Sequence, residues 1–291
     1  MRALAEFTMR GRMQATLAVA GAAVVPLLFW LSASAGSLVL LRRGFSDAVG
    51  ILAWAVLPAA CWWYLGDPSI LLALLGTLVL AQILRVSESW SHVLIGSVAL
   101  GLVLALVLGN AYSEMIGVLA TEVTKVLAQV RGDAQLSGEE LDRLQAAMVP
   151  TLTGVMASSL QATCLLCLVL ARYWQAALYN PGGFGREFRS LRLRPAVAVA
   201  LLLGCILIPA LDARAALLGP LCSVPLLFAG AALGHGLIAL KRLSGGWLIV
   251  LYLAVLLIGN LICLLAVIDS LFDFRGRLAR KNGAGPANGE G

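Results

Sequence analysis

Six polar side chains lie within or at the edges of long apolar stretches, and they are of the types that contact ligands or carry protons. Amide and ionisable groups are costly in hydrocarbon, so each is a candidate functional residue. We predict that they line one binding pocket, and they are Gln82, Glu88, His92, Asn110, His235 and Asn260. No carboxylate pair, nucleophile–base motif or metal-ligand set accompanies them in the apolar stretches. The sequence therefore predicts a binding protein rather than an enzyme, with no metal and no cofactor.

Most of these residues also have a structural interpretation. His235 lies between two glycines. It either binds a substrate or transfers a proton, or it donates a hydrogen bond to a carbonyl of a neighbouring helix. The cluster at 82–92 is either the wall of an aqueous pocket or a solvated loop between two helices. Asn260 and Gln161 are candidates for hydrogen bonds between helices as well as for ligand contacts. An enzyme is the third alternative, and it requires His92 or His235 to meet a carboxylate.

Small residues in the same stretches favour close packing. Cys164 and Cys167 have C-x-x-C spacing, but they lack a neighbouring histidine or charge, so we predict packing rather than redox or metal chemistry. Gly230 and Gly234 are four residues apart, which is the spacing that lets two membrane helices approach each other.

The elements that carry these residues are apolar helices. Of the 291 residues, 60% are hydrophobic and 12% are charged, whereas soluble domains carry about a quarter charged residues. A membrane-crossing helix needs about 20 apolar residues, and such stretches occupy 15–41, 48–65, 69–85, 90–110, 150–172, 195–211, 215–240 and 247–268. We predict an all-α fold, a polytopic transmembrane helical bundle of about eight spans (seven to nine). The first stretch is long enough for a tight hairpin with a break near Pro26 and Trp30.

One polar segment, 111–149, interrupts the apolar stretches. Apolar residues recur at three- and four-residue steps in its first half, which predicts an amphipathic helix. A break at 131–133 and a capping-box pattern at 137–140 predict a second short helix, and Pro150 suits the first turn of the next span. Six acidic and three basic residues favour the exoplasmic side. The insert is expected to cap the bundle or lie along the membrane, and a lid over a binding site is the alternative.

Charge is concentrated in the connections and indicates the orientation. The segment 172–194 carries five arginines and one acid, which is the strongest cytoplasmic signal in the chain. We predict that Arg186, Arg189 and Arg192 anchor it at the membrane surface; phosphate binding by this loop is the alternative, although it matches no phosphate-binding fingerprint. With a hairpin at 15–41, the basic residues gather on one side except for those after residue 274. One predicted span is therefore wrong.

The C-terminal segment is the second predicted anchor. Asp269 and Asp273 are one helical turn apart, Arg275 follows, and an ion pair from Asp273 to the arginine one turn later fits an amphipathic exit helix. The chain then becomes rich in glycine and asparagine. We predict one membrane domain over 1–278 and a disordered tail over 279–291.

Two motifs resemble the YybS-like family of bacterial membrane proteins. The first is N-P-G-G-F-G-x-E-F-R-x-L-R at 180–192, and the second is D-x-x-F-D-F-R at 269–275. Together with the run of spans, the resemblance covers the chain up to about residue 278. Members of this family are similar to the substrate-binding components of energy-coupling-factor vitamin importers and to the cell-shape protein MreD, an analogy at the level of the fold. The extra spans and the acidic insert depart from the six-helix pattern, and the resemblance supplies no binding residues.

These observations predict a multi-pass protein of the bacterial inner (plasma) membrane that binds a small molecule as a membrane component of a transporter. The alternative is a non-enzymatic scaffold or regulator in cell-envelope assembly, with membrane or envelope proteins as partners. The lipid bilayer is a partner in both cases, and nucleic acid is not, because the basic residues lie in short connections rather than on one face. Transport predicts polar residues from several spans around one cavity of a few hundred Å³. A scaffold predicts a dry bundle whose insert exposes an apolar face.

Overall fold

The computed structural model of the chain describes residues 2–130 and 138–283, and every regular element in these ranges is helical. In chain order the helices are α1 (Arg2–Arg10), α2 (Arg12–Val24), α3 (Phe29–Arg43), α4 (Phe45–Tyr64), α5 (Ser69–Ser87), α6 (Trp90–Ala111), α7 (Ser113–Val130), α8 (Gly138–Tyr179), α9 (Gly183–Ser190), α10 (Pro195–Leu211), α11 (Leu218–Leu240), α12 (Gly246–Leu257), α13 (Gly259–Phe272) and α14 (Phe274–Gly283). Five helices are long and apolar enough to cross a membrane, or up to seven spans result if each of two bent helix pairs counts as one. The all-α polytopic bundle is confirmed, and the chain is an integral, multi-pass membrane protein.

The first predicted span is a helical hairpin. A 3-10 turn at Pro26–Leu28 separates α2 from α3. Ser32 Oγ donates to the Val19 carbonyl at 2.7 Å, and Arg43 Nη2 donates to the Met9 carbonyl at 3.0 Å, so α3 runs back along α2 and α1. Because proline lacks the N–H that would continue the helix, the chain reverses here. The predicted break is confirmed.

The helix α3 is central in the bundle. Every residue from Ser32 to Leu41 is buried, and α3 packs against α2, α4, α5 and α8. The first part of this segment reads Ser-Ala-Ser-Ala-Gly-Ser, and such small side chains let neighbouring helix backbones approach. Hydrophobic burial of the remainder then fixes α3 within the core.

The insert differs from its prediction at the second helix. The helix α8 continues from Gly138 through Pro150 to Tyr179, so the predicted short helix and the following span are one helix of 42 residues. At 1.5 Å per residue α8 is about 63 Å long, roughly twice the thickness of the ~30 Å hydrocarbon core. Pro150 therefore lies inside a helix instead of beginning one. The predicted break at 131–133 and Ser137 of the predicted capping box lie outside the described residues.

The predicted last span, 247–268, is a bent pair rather than one crossing helix. The helices α12 and α13 bend by 108° around Ile258. The helix α12 begins at Gly246, shortly after α11 ends at Leu240. Arg275, just beyond the end of α13, also lies beside this end of α11, because a Cβ at Gly236 would be 2.9 Å from its Cδ. The pair therefore enters and leaves beside the same end of α11. Residues 279–283 of the predicted tail continue α14, and 284–291 lie outside the described residues.

This topology gathers the basic residues at one end of the bundle, which we call the basic end. Hydrogen bonds join its parts: Arg12 bonds to Asp47, Arg85 to the end of α3, and Arg192 to Ser270. The predicted spans had left the basic residues after residue 274 on the opposite side of the membrane from the others. Because α12–α13 returns to the basic end, these residues join the others and this conflict disappears. Among the described basic residues, those at the opposite end or in the insert are Lys125, Arg143 and Arg214.

Glycines on α11 let α12 and α13 approach closely, as their spacing predicted. A Cβ at Gly230 would lie 2.8 Å from the carbonyl oxygen of Ile262, and a Cβ at Gly234 would overlap the side chain of Leu251. The prediction of close helix approach is confirmed for this pair.

Buried polar residues link the helices in the core. Gln161 of α8 is fully buried, and its Nε2 donates to Ser97 Oγ at 3.0 Å and to the Leu221 carbonyl at 3.3 Å. Its predicted role as a hydrogen bonder between helices is confirmed. Cys164 and Cys167 are both buried in the packed core.

Candidate functional site

The basic end is organised around α9, the short helix within 172–194. Gly182 has a φ of +79° immediately before α9, a left-handed conformation that glycine adopts without strain. This turn ends the connection from α8 and begins the helix at Gly183. A bend of 70° then separates α9 from α10. The side chains of α9 are thereby placed across the ends of several membrane helices.

Glu187 of α9 joins three helices. Its Oε1 accepts a hydrogen bond from Trp90 Nε1 at 2.6 Å, and its Oε2 accepts from Arg172 Nη2 at 2.8 Å and from Arg172 Nε at 3.1 Å. Arg172 Nη1 also donates to Gln175 Oε1 at 2.6 Å. A forked arginine–carboxylate contact of this kind fixes orientation as well as adding energy. It ties α9 to α6 and α8.

A polar cavity of about 570 Å³, which we call the first pocket, opens beside this ion pair. Its volume is within the range of small-molecule sites. Helices α3, α5, α8 and α9, together with the residue that follows α5, contribute the lining side chains Leu41, Arg42, Leu84, Arg85, Glu88, Arg172, Gln175 and Glu187. Three arginines thus face two glutamates at the end of an otherwise apolar bundle.

Two of these arginines have structural partners. Arg172 is paired with Glu187, which offsets its charge. Arg85 Nη1 donates to the carbonyls of Leu40 and Leu41 at 2.9 Å each. These carbonyls belong to the last turn of α3, where a cation is favourable because helix carbonyls lack partners there. The positive charge of Arg85 is held in place by neutral acceptors and still acts on the pocket.

Arg42 and Glu88 are the more available charges of the first pocket. The guanidinium carbon of Arg42 lies 4.2 Å from the centre of the Tyr179 ring, a cation–π contact that occupies no N–H donor. Glu88 adopts a left-handed conformation, with φ of +51°, at the end of α5. Both side chains are exposed. The pocket can therefore offer donors to an anion and an acceptor to an amino or hydroxyl group.

The two motifs at 180–192 and 269–275 contact each other at the basic end. Arg275 Nη1 donates to the Arg189 carbonyl at 2.7 Å, and its Nη2 donates to the Leu191 carbonyl at 2.8 Å. Ser270 Oγ donates to the Leu193 carbonyl at 2.6 Å. The junction of α13 and α14 thus holds the chain between α9 and α10.

Two ion pairs complete this contact, which we call the C-terminal anchor (Asp269, Ser270, Asp273 and Arg275 against 189–193). Arg275 Nη2 lies 2.8 Å from Asp269 Oδ2, and Arg192 Nη1 lies 3.0 Å from Asp273 Oδ1. Asp273 has a φ of +50°, so the helix is interrupted there. The predicted ion pair between Asp273 and Arg277 along one continuous helix is therefore replaced by the pair with Arg192. Of the other predicted anchoring residues, Arg186 and Arg189 are exposed beside Arg275.

The structure does not bring the six predicted binding residues into one cavity. Glu88 lines the first pocket, and His235 lines another cavity. The other four are dispersed: half-buried Gln82 on α5, exposed His92 at the start of α6, exposed Asn110 at the opposite end of α6, and exposed Asn260 beside the bend of α12–α13.

His235 contacts aromatic side chains. Its Nε2 lies 3.0 Å from the hydroxyl oxygen of Tyr252, and its ring packs edge-on against Phe188 and Tyr252 with centroid distances of 5.4 and 5.7 Å. The observed hydrogen-bond partner is a hydroxyl on α12, in place of the predicted backbone carbonyl. His235 thus connects α11 to both α9 and α12.

Sequence reasoning missed most of the first pocket. Arg42 and Arg172 were interpreted as orientation signals and Gln175 was not singled out, whereas Arg85 belongs to the cluster at 82–92 that was predicted as a pocket wall. Glu187 is the one acidic residue in the basic segment 172–194. This isolation was the sequence feature that could have indicated its role in the site.

The fold and this site define an integral, multi-pass membrane protein with a preformed polar pocket at one end of its bundle. The chain matches no family model, no curated protein and no solved structure.

Proposed function

We propose that this protein is the small-molecule-binding membrane component of a transport system, and that its ligand is a small polar anion held in the first pocket. The observation that carries the proposal is the meeting of three arginines and two glutamates around a cavity of about 570 Å³. Arg42 supplies N–H donors for a phosphate or carboxylate, and Glu88 accepts a hydrogen bond from an amino or hydroxyl group of the same molecule.

The orientation follows from the same charges. Basic residues in short connections favour the cytoplasmic side, so we place the basic end and the first pocket in the cytoplasm, in an inner membrane of the bacterial type. We also propose, on the motifs at 180–192 and 269–275, that the chain belongs to the YybS-like family; the two motifs contact each other at the basic end. The family resemblance is part of the proposal.

The test is thermal unfolding of the detergent-purified protein with a panel of phosphorylated and carboxylated small molecules. A ligand present at 100 times its Kd stabilises the fold by about 2.7 kcal/mol. Arg42→Gln should raise the Kd of such a ligand about tenfold or more, since a hydrogen bond to a charged group contributes about 1.5–3 kcal/mol.

The matched control is Arg194→Gln, which removes one exposed arginine from the same end without changing the described lining of the first pocket. It should bind the ligand as the unaltered protein does. Equal weakening in both variants would show that net charge, and not the first pocket, governs binding. If no compound in the panel stabilised the protein, that result would also count against the proposal.

A scaffold in envelope assembly is the second candidate, favoured by one observation on α7. Its buried face holds Ile116 and Ala120, whereas Val118 and Val126 on other faces are 66% and 54% exposed. That apolar surface suits a membrane or protein partner. If no ligand stabilises the protein, and Val118→Ser abolishes cross-linking from α7 to a second membrane protein without changing the unfolding temperature, the scaffold becomes the better account.

A further inference from the structure

We infer that the basic end holds a second, separate site, which binds an anionic phospholipid through its phosphate and the adjoining apolar part of the molecule. The site is a cavity of about 680 Å³ between α1, α8, α9 and α11, which we call the second pocket. Its described lining shares no residue with that of the first pocket: on α9, Glu187 lines the first, and Phe184 and Phe188 line the second.

The wall of the second pocket is a connected set of aromatic rings. Phe184 lies 5.7 Å from Phe188 and 6.3 Å from Tyr173, measured between ring centroids, and Phe188 continues the set to His235 at 5.4 Å. Fully buried Trp174 forms part of the same lining. The contacts with Tyr173 and His235 are edge-to-face and the contact between Phe184 and Phe188 is tilted, and such aromatic contacts stabilise the wall. The wall offers a rigid apolar surface to the body of a ligand.

The charge of the second pocket differs in kind from that of the first. Its described lining includes Arg2 and Arg189 and no acidic residue, whereas the first pocket contains Glu88 and Glu187. Among the described residues, Arg2 is paired with Glu6 on the surface, where the two side chains are 72% and 45% exposed, and such pairs contribute little energy. Two arginines can therefore turn to one anion at little cost.

A pocket that combines an apolar wall with two cations matches an amphipathic anion, and the surroundings identify its source. The pocket opens at the basic end, where the membrane helices terminate, and aromatic residues such as Tyr173 are characteristic of headgroup depth. Phosphate-bearing lipids at that depth are attracted by nearby arginines. An anionic phospholipid can place its phosphate against Arg2 and Arg189 and its apolar part against Phe184 and Phe188.

The experiment measures lipid retained by the full chain, using native mass spectrometry of protein released from phosphatidylcholine nanodiscs that contain increasing phosphatidylglycerol. The double variant Arg2→Gln/Arg189→Gln is compared with the matched double variant Arg10→Gln/Arg194→Gln. The control removes two exposed arginines of the same end that do not line the pocket. Relative to the unaltered protein, the pocket variant should bind phosphatidylglycerol about 100-fold more weakly, because each arginine loses a charge-assisted hydrogen bond to the phosphate, whereas the control should lose far less.

Three results would overturn the inference. Equal weakening in both double variants would assign the binding to general surface charge. Unchanged retention in the pocket variant would remove the site. Competition by inorganic phosphate as effective as that by phosphatidylglycerol would show a small-anion site rather than a lipid site. If the double variant unfolds at a lower temperature than the control, Arg189→Gln alone replaces it, since the contact of Arg189 with Arg275 uses only its backbone carbonyl.

Discussion

Loss of the Asp269 carboxylate should destabilise the protein far more than loss of the Asp273 carboxylate, although the two residues are one turn apart and each forms one ion pair. The side chains of Asp269 and Arg275 are 3% and 11% exposed, whereas those of Asp273 and Arg192 are 37% and 33% exposed. Removing one partner of a buried ion pair costs about 3–5 kcal/mol. An exposed pair contributes about 0–1 kcal/mol.

The stability lost on replacing Asp269 should lie near the lower end of the range of about 3–5 kcal/mol for a broken buried ion pair. In Asp269→Asn, Arg275 keeps its hydrogen bonds to the carbonyls of Arg189 and Leu191, so we expect a loss of about 3 kcal/mol in the free energy of unfolding. Asp273→Asn should cost less than about 1 kcal/mol. Asparagine also tolerates the left-handed backbone of residue 273, so this variant isolates the carboxylate charge.

The assay is equilibrium unfolding of both purified variants in mixed detergent micelles with increasing sodium dodecyl sulfate, followed by far-ultraviolet circular dichroism. Arg275→Gln provides the reciprocal change and should also be strongly destabilising. Equal losses for Asp269→Asn and Asp273→Asn would refute the reasoning, because burial would then not determine the value of these ion pairs. A larger loss for Asp273→Asn would refute it as well.

Two further predictions concern topology and packing. A cysteine at Arg280 should react with a membrane-impermeant maleimide from the same side as a cysteine at Arg12, and a cysteine at Asp212 should react from the other side. If the cysteine at position 280 reacted from the same side as that at position 212, α12–α13 would be a crossing span. Gly154→Ala should destabilise by about 1–3 kcal/mol, because its Cβ would lie 2.6 Å from a backbone carbonyl oxygen. Gly50→Ala, where no atom lies within 4 Å of the new Cβ, should be neutral or stabilising by up to about 1 kcal/mol in the same unfolding assay. Similar losses at both glycines would contradict the packing of α8 against the turn before α11.

The fold could be predicted wherever hydropathy and helix-breaking residues determine it. Pro26 within a stretch too long for one span correctly indicated a hairpin, because proline removes a helix hydrogen bond wherever it interrupts the ladder. At Pro150 the same residue misled, since proline is also accommodated within α8. Hydropathy at 247–268 carried no sign of the bend at Ile258, because an apolar segment has the same composition whether it crosses the membrane or turns back.

The site could not be predicted because its contacts are distant in sequence. Glu187 meets Trp90 across 97 residues, and nothing local to either residue indicates the other. Asp273 turned away from Arg277 because its left-handed backbone ends α13, which helical spacing could not show. Polarity within and beside the apolar stretches identified Glu88 and His235 as lining residues, but it could not separate them from residues that line neither pocket, such as Asn260.

One eight-residue helix, α9, forms part of both pockets, with Glu187 lining the first and Phe184 and Phe188 lining the second. A rotation or shift of α9 therefore alters both cavities together, so the two proposed ligands would be thermodynamically linked. By reciprocity, the factor by which a bound phospholipid changes the Kd of the polar ligand equals the factor by which the polar ligand changes the Kd of the phospholipid. The lipid composition of the membrane would then set the sensitivity of the protein to its soluble ligand. The test is to measure, in the same nanodiscs, the Kd of each ligand with and without the other. If neither ligand changed the Kd of the other, α9 would not couple the two pockets.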